Sequence, residues 1–376
     1  MTERISRFVA EQNPETPCLV VDLDVVEENF LRLRGTLPLA RIYYAVKANP
    51  AHEILSRLHR LGACFDAASI YEIERCLEIG ADPERLSFGN TIKKASHIAR
   101  AYALGVRLFA FDSEAELEKL AQAAPGAKVY CRFLMTGDGA DWPLSEKFGC
   151  HPTMVAPLLG MARARGLEPH GISFHVGSQQ RDLDQWDIAI ETSSAIFQQL
   201  ADDGVDLRMV NIGGGFPARY RAEAPTIDSY GQAIMGAMTR HFGNRLPIII
   251  AEPGRYIPGD AGVIQSEVVL ISRKSDDSAR RWVYLDIGKF GGLAEVMDEA
   301  IQYRLRTPHD GKPCGPVVVA GPTCDEVDVL YDMAGYELPL DLKTGDRVEI
   351  LSAGAYTASY CTVGFNGFPP LREFYI

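Results

Sequence analysis

Apolar residues gather in short runs along this chain, and between the runs they recur at helical spacing. The runs Ile42–Val46, Cys64–Asp66, Leu86–Gly89, Arg107–Asp112, Val129–Met135, Ile172–His175, Met209–Ile212 and Ile248–Ala251 read as strands. In segment 50–62, Ile54, Leu55, Leu58 and Leu61 share one helical face. Ser69 with Glu72 forms a capping-box pattern that opens a helix closing at Gly80, and Ser113 with Glu116 repeats the device. Eight strands alternating with helices, too apolar to have one wet face, predict an α/β fold built on a parallel (β/α)8 TIM-like barrel. A doubly wound sheet is the alternative, but Gly213–Gly215 lacks the GxGxxG spacing that would favour it.

Beyond residue 262 the helical period fades. Val263–Ser272, Arg281–Ile287, Pro316–Ala320 and Asp346–Leu351 read as strands between turn-rich segments. The expected division is a barrel over 21–261 and a C-terminal β domain over 262–376, with residues 1–20 as a candidate added strand of the latter.

Composition narrows the function. A 47% apolar and 23% charged chain of 376 residues is an ordinary globular protein with room for two domains. A net charge of -12 argues against nucleic acid or an anionic membrane as partner and suits a cationic small molecule. No apolar run reaches membrane-spanning length, and no apolar signal core follows Arg4 and Arg7, so a cytoplasmic protein is expected. The eight cysteines are scattered without a CxxC pair and read as thiols. The eight histidines show no zinc spacing, so no metal is expected.

The chemistry gathers where the barrel strands end. Those ends carry Lys47, Asp66, Asn90, Asp112, Arg132, His175, Gly213–Gly215 and Glu252, on the rim where such barrels hold their active sites. Lys47 follows the apolar Tyr43-Tyr44-Ala45-Val46 and precedes Asn49-Pro50, a setting that suits a Schiff-base amine. The plain alternative is a surface lysine ending a strand. Gly213-Gly214-Gly215 after the seventh strand lets backbone N–H groups approach an anion, and Arg255 in Glu252-Pro253-Gly254-Arg255-Tyr256 can fork onto a phosphate. Taken singly, these are also compatible with a tight turn and a surface ion pair. A lysine, a phosphate cradle and an acid describe a pyridoxal 5'-phosphate site. Glu252 would pair with the pyridine nitrogen, His175 would lie against the ring face, and Ser178 would reach the phosphate.

Six motifs then identify a family resemblance over nearly the whole chain. They are Tyr44-Ala45-Val46-Lys47-Ala48-Asn49, His175-Val176-Gly177-Ser178, Gly213-Gly214-Gly215-Phe216-Pro217, Glu252-Pro253-Gly254-Arg255-Tyr256, Gly321-Pro322-Thr323-Cys324-Asp325 and Gly354-Ala355-Tyr356-Thr357. Together they resemble the fold-type III pyridoxal-phosphate-dependent ornithine/lysine decarboxylases, in the bacterial lysine/ornithine branch. The resemblance implies an alanine-racemase-like barrel and conversion of L-ornithine to putrescine, L-lysine to cadaverine, or both, in polyamine biosynthesis. It implies Lys47 as the cofactor lysine, with cofactor contacts from Asp66, Arg132, His175, Ser178, Gly213, Gly214, Gly215, Glu252, Gly254, Arg255 and Tyr356. It makes Cys324 the proton donor to the product carbon and Asp325 the reader of the distal ammonium. It also implies a homodimer with composite sites, bridged by Lys147 and Asp328.

Asp298-Glu299 stands where eukaryotic members carry Tyr-Asp. The extra methylene of Glu299 leaves ornithine against lysine undecided, since one methylene is worth about 1–3 kcal/mol of discrimination. Diaminopimelate decarboxylase is the rival in the same class, although it has Cys-Glu-Ser where this chain has Cys324-Asp325-Glu326. An alanine-racemase-like activity fits the Cys-Asp loop less well. A silent homologue acting as a regulatory binding protein is the reading from another class, and intact Lys47, Glu252 and Cys324 weigh against it.

Overall fold

The computed structural model describes residues 1–142 and 146–376. The chain forms two compact units. One comprises Glu27–Pro217 and Pro225–Gly254, and the other Met1–Val26, Ala218–Ala224 and Arg255–Ile376.

The first unit is a closed parallel barrel. Its strands are Ala40–Ala45, Cys64–Ala67, Leu86–Phe88, Leu108–Phe111, Lys128–Arg132, Glu168–Ser173, Met209–Asn211 and Ile248–Ala251. Pairing of Ile249 with Ala40 closes the ring. Inward side chains from alternate positions fill it: Tyr43, Ala110, Tyr130, Met209 and Ile250 form one buried cluster. The Tyr130 hydroxyl is satisfied by Ser87 Oγ at 2.8 Å, so a polar tip survives inside the barrel.

Local chemistry sets the helix starts. Ser69 Oγ accepts the N–H of Glu72 at 3.2 Å, and Glu72 reaches back to the N–H of Ala68 at 2.6 Å, one residue earlier than a capping box requires. Ser113 accepts from Glu116 N at 3.4 Å, but the Glu116 carboxylate turns away to Lys93, 3.0 Å off. Lys93 is buried, and its ammonium also donates to the carbonyls of Asn90 at 2.7 Å and Ala110 at 2.6 Å. Burial pulls this amine down to about 8 despite Glu116. The expected capping glutamate thus secures the loop leaving the third barrel strand.

The first barrel strand is shorter than its sequence suggests. It stops at Ala45, and Val46–Ala48 forms a 3-10 turn that carries Lys47. Val46 is apolar and wholly buried, which is why it reads as strand. Asn49 fixes the turn's exit: Tyr44 Oη donates to its carbonyl at 3.0 Å, and its side chain accepts the N–H of Ala51 at 3.1 Å. The N–H of Ala45 donates to Pro253 O at 3.0 Å, which joins the ends of the first and eighth strands.

The second unit is a nine-stranded sheet. Its long strand Gly262–Ser272 pairs antiparallel with Cys18–Val21, Arg281–Leu285 and Arg347–Leu351. Cys314–Ala320 lies parallel to Arg281–Leu285, and Val329–Tyr331 and Glu337–Pro339 pair with it. Arg372–Tyr375 runs parallel to Cys18–Val21. An N-terminal helix, Glu3–Gln12, is capped by Thr2 and packs Ile5 with Cys18, Val20 and Val263.

Candidate active site

In the barrel unit the strand ends bring Lys47, Asp66, Arg132 and Glu252 within electrostatic reach of one another. Burial pushes the Asp66 carboxyl well up and Glu252's charge adds to it, while Lys47 and Arg132 oppose both. Burial also raises Glu252, against the hydrogen bond from Asn211 and the charges of Lys47 and Arg132. Arg132 is lowered by burial, with Glu252 and Asp112 opposing. Lys47 itself is exposed, but two acids coupled to two cations at the strand ends are the electrostatics of a functional site.

Asp66 is pressed against a residue the sequence reading passed over. A Cβ on Gly89 would fall 1.9 Å from Asp66 Oδ1, so only glycine lets that carboxyl lie against the third strand's exit. A glycine directly after an apolar strand, on the rim, was the available signal. Gly89→Ala is expected to cost about 1–3 kcal/mol of stability through overpacking and to weaken cofactor binding. Unchanged urea unfolding and an unchanged cofactor Kd would contradict this.

His175 lies at the turn that follows the sixth strand. Its Nδ1 accepts the N–H of Gly177 at 2.9 Å, so the neutral ring carries its proton on Nε2. Burial, then Arg132, then Lys47 hold its pKa well below the usual 6.5. The lowered value means that the unfolded chain takes up the proton first as pH falls. The neutral ring's stability contribution is complete above pH 6.5 and declines below it, down to the depressed folded value. Between pH 6.5 and 5, the apoprotein of His175→Gln should therefore lose less thermal stability than wild type. An equal loss would refute the assignment.

The glycine turn is built by close backbone approach. A Cβ at Gly213 would meet Phe174 O at 2.3 Å, and one at Gly215 would meet Gly177 O at 2.6 Å, both with φ positive. Gly214 lies equally close to Glu252 O. The N–H of Gly213 is already committed to Asn211 Oδ1 at 3.0 Å. Asn211, which the sequence reading did not single out, also donates to Glu252 Oε1. Its signal is hidden because it reads as one more residue of the strand Met209–Ile212. Ser178 opens the short strand Ser178–Gln180, paired with Ala140–Trp142. Gly254 is buried at the end of this unit.

These residues fit a pyridoxal phosphate. Asp66 Oδ1 and Arg132 Nε are buried and have no hydrogen-bond partner among the described residues, which marks a place for polar groups from outside the chain. The glycines at 213–215 let the turn pack directly on the backbone of Phe174, Glu252 and Gly177, which brings it to the same strand ends.

In the second unit Arg255 departs from expectation. The guanidinium that the sequence offers to a phosphate is closed on Glu295, with both terminal nitrogens 2.6 Å from its two oxygens. Nη1 also donates to Tyr220 Oη at 2.9 Å, and the guanidinium carbon lies 4.8 Å from the Tyr356 ring centre. Burial works against the charge, but Glu295 and Tyr220 more than offset it, so Arg255 is held well above its ordinary range. Glu295 lies 40 residues away from Arg255 in sequence, and no motif links the two.

Cys324 and Asp325 are exposed. The Cys324 N–H donates to Asn366 Oδ1 at 2.7 Å, and Asp325 caps its own turn through Val327 N at 3.0 Å. Asp298 is exposed with φ 52°. Glu299 differs: its Oε1 accepts the N–H groups of Asp332 at 2.6 Å and Met333 at 2.7 Å. That oxygen holds a loop and is not turned to a ligand.

Asp328 is buried within its own chain. It is 2% exposed and accepts from Lys289 N at 2.7 Å, Thr323 N at 3.1 Å and Thr323 Oγ1 at 2.6 Å. Lys147 is exposed, with its ammonium 5.0 Å from the Phe148 ring centre. Among the described residues no cluster of three or more potential metal ligands occurs, and no helix is long and apolar enough to cross a membrane.

A closed parallel barrel with a lysine, paired acids and a glycine cradle on its rim, joined to a sheet unit, defines a fold-type III pyridoxal-phosphate enzyme. The family described as "Pyridoxal-dependent decarboxylase, pyridoxal binding domain" matches residues 23–259. A lysine/ornithine decarboxylase of Selenomonas ruminantium is 35% identical over 370 residues, covering 98% of this chain and 91% of that protein. The structure of the Selenomonas ruminantium lysine decarboxylase with PLP and cadaverine superposes with a TM-score of 0.89 at 33% identity, over 100% of this chain and 94% of that one. A lysine/ornithine decarboxylase from Vibrio vulnificus complexed with cadaverine gives 0.89 at 30% identity, covering 100% and 99%. The chain belongs to the pyridoxal-dependent ornithine/lysine decarboxylase family. It is a carbon–carbon lyase with pyridoxal 5'-phosphate as cofactor.

Proposed function

We propose that this enzyme removes the α-carboxylate of L-ornithine, L-lysine or both, releasing putrescine or cadaverine, and that it works as a cytoplasmic homodimer whose sites each use Cys324 and Asp325 of the second chain. The observation that carries the reading is the charge-coupled group of Lys47, Asp66, Arg132 and Glu252 in the barrel of a chain that matches this family across its length.

When bound, pyridoxal phosphate accepts the electron pair left on Cα as carbon dioxide departs. Lys47 would hold the cofactor through its amine. Glu252 would face the ring nitrogen and favour its protonated form, and neutral His175 would lie against the ring without adding charge. Asp66 and Arg132 take the hydroxyl side. Ser178, Gly214, Gly215 and Gly254 serve the phosphate through short or backbone donors, while Gly213 shapes the turn. Arg255 and Tyr356 belong to the same set in the family pattern. Cys324 delivers a proton to Cα. Asp325 and Asp298 attract the distal ammonium, and Glu299 fixes the neighbouring loop.

Incubating the holoenzyme separately with ornithine, lysine, arginine and diaminopimelate, and identifying the amine formed, tests the substrate. Putrescine or cadaverine is expected; only lysine produced from diaminopimelate would choose the rival. Mixing tests the shared site. Lys47→Ala and Cys324→Ala proteins, each nearly inactive, should together recover up to about a quarter of wild-type activity once subunits exchange, because random pairing leaves one intact site in half of the dimers. Proven exchange without recovery would refute a composite site.

A further inference from the structure

We propose that Asn211 is the positioning residue for Glu252: its amide keeps Oε1 free of any proton and leaves Oε2 to meet the cofactor's ring nitrogen. This deepens the function proposed above and rests on it for the identity of the ligand.

The geometry begins with the amide's orientation. Asn211 ends the seventh barrel strand, is 1% exposed, and lies between Ser173 and Ile250 of the flanking strands. Oxygen and nitrogen of such an amide are distinguished by their partners. The N–H of Gly213, 3.0 Å from Asn211 Oδ1, can only donate, so the oxygen faces the glycine turn. The Nδ2 end is thereby turned to Glu252 Oε1, which must accept. The N–H of Glu252 completes a ring by donating to Gly213 O at 2.8 Å. One amide therefore sets the glycine turn and the acid together.

The surroundings show why a neutral donor is used. Lys47, Arg132, Asp66 and Tyr130 all act electrostatically on or through Glu252. Asp66 is a second carboxyl able to compete for a proton. With no donor on Oε1, Glu252 could take its proton there or turn it towards Asp66, and the acid facing the ring nitrogen would vary in position and charge. An amide cannot take up that proton at any working pH, so the assignment of the two oxygens does not change.

Three variants decide the matter: Asn211→Leu, Asn211→Asp, and Asn211→Asp combined with Glu252→Gln. In the holoenzyme, Asn211→Leu is expected to lower kcat about 10- to 100-fold through loss of a buried hydrogen bond to a charged group. KM should stay within about threefold, and the pH profile should shift. Asn211→Asp should restore most of the lost kcat near neutral pH, because its carboxyl takes up a proton and donates it to Glu252. Infrared spectra of the apoprotein supply a readout without cofactor or substrate. At pH 7, Asn211→Asp should gain one protonated carboxyl band over wild type. Adding Glu252→Gln should abolish the gain, since the new amide then donates to an ionised aspartate. The inference is overturned if Asn211→Asp gains no such band, or if Asn211→Leu keeps wild-type kcat and pH profile. Should Asn211→Leu fail to fold, the near-isosteric Asn211→Asp carries the test. If the wild-type enzyme releases no diamine from any substrate, the functional proposal fails, while the infrared comparison still decides the pairing.

Discussion

Lys47→Ala is expected to lower turnover at least about a thousandfold, since it removes the amine that a covalent mechanism requires. Borohydride reduction of the wild-type holoenzyme should fix the cofactor to position 47, and the variant should show no such adduct. The size of the effect follows from the turn. Lys47 is held by a 3-10 turn whose exit is fixed at Asn49 and whose strand is tied to Pro253. Residual binding of cofactor is expected, because the glycine turn, Asp66 and Arg132 remain. A reduced adduct on another lysine, or turnover within tenfold of wild type, would refute the assignment.

Glu295→Leu should be the most damaging change to stability. It leaves the Arg255 guanidinium, 3% exposed, without its bidentate partner. Removing one member of a buried ion pair typically costs about 3–5 kcal/mol, because the other charge stays desolvated. Tyr220 and the face of Tyr356 compensate only in part, as neither carries a negative charge. A second substitution, Arg255→Met, should recover much of the loss in urea unfolding, since it removes the stranded charge. Destabilisation below about 1 kcal/mol in the single variant would show that water reaches the pair.

How much of this was legible in the sequence depended on whether the signal was local. The eight barrel strands were readable because a parallel strand is buried on both faces and becomes an unbroken apolar run bounded by turns. Ser69 and Ser113 announced their helices because an N-cap is satisfied within three residues. The helix Glu3–Gln12 went unread: only Ile5 in it is fully buried, so its apolar stripe is thin. Lys47, His175 and Glu252 could be found from their motifs. Asn211 and Glu295 could not, since each is defined by a contact distant in sequence: a carboxylate 41 residues on and an arginine 40 residues back. The burial of Asp328 was hidden for the same reason. Its acceptors are filled from within its own chain, by backbone at Lys289 and by backbone and hydroxyl at Thr323.

That buried aspartate has a further consequence. Gly288 and Gly321 lie against its carboxylate so closely that a Cβ on either would come within 2.3 Å of it, which anchors the base of the Cys324 loop from both sides. The residues from Cys324 to Val327 beyond it are exposed. Root and tip are therefore under different constraints: the root tolerates almost no change, while the tip can be exchanged without repacking what lies beneath. Alanine at Gly288 or Gly321 should therefore lower urea stability, whereas substitutions at Glu326 or Val327 should leave it unchanged.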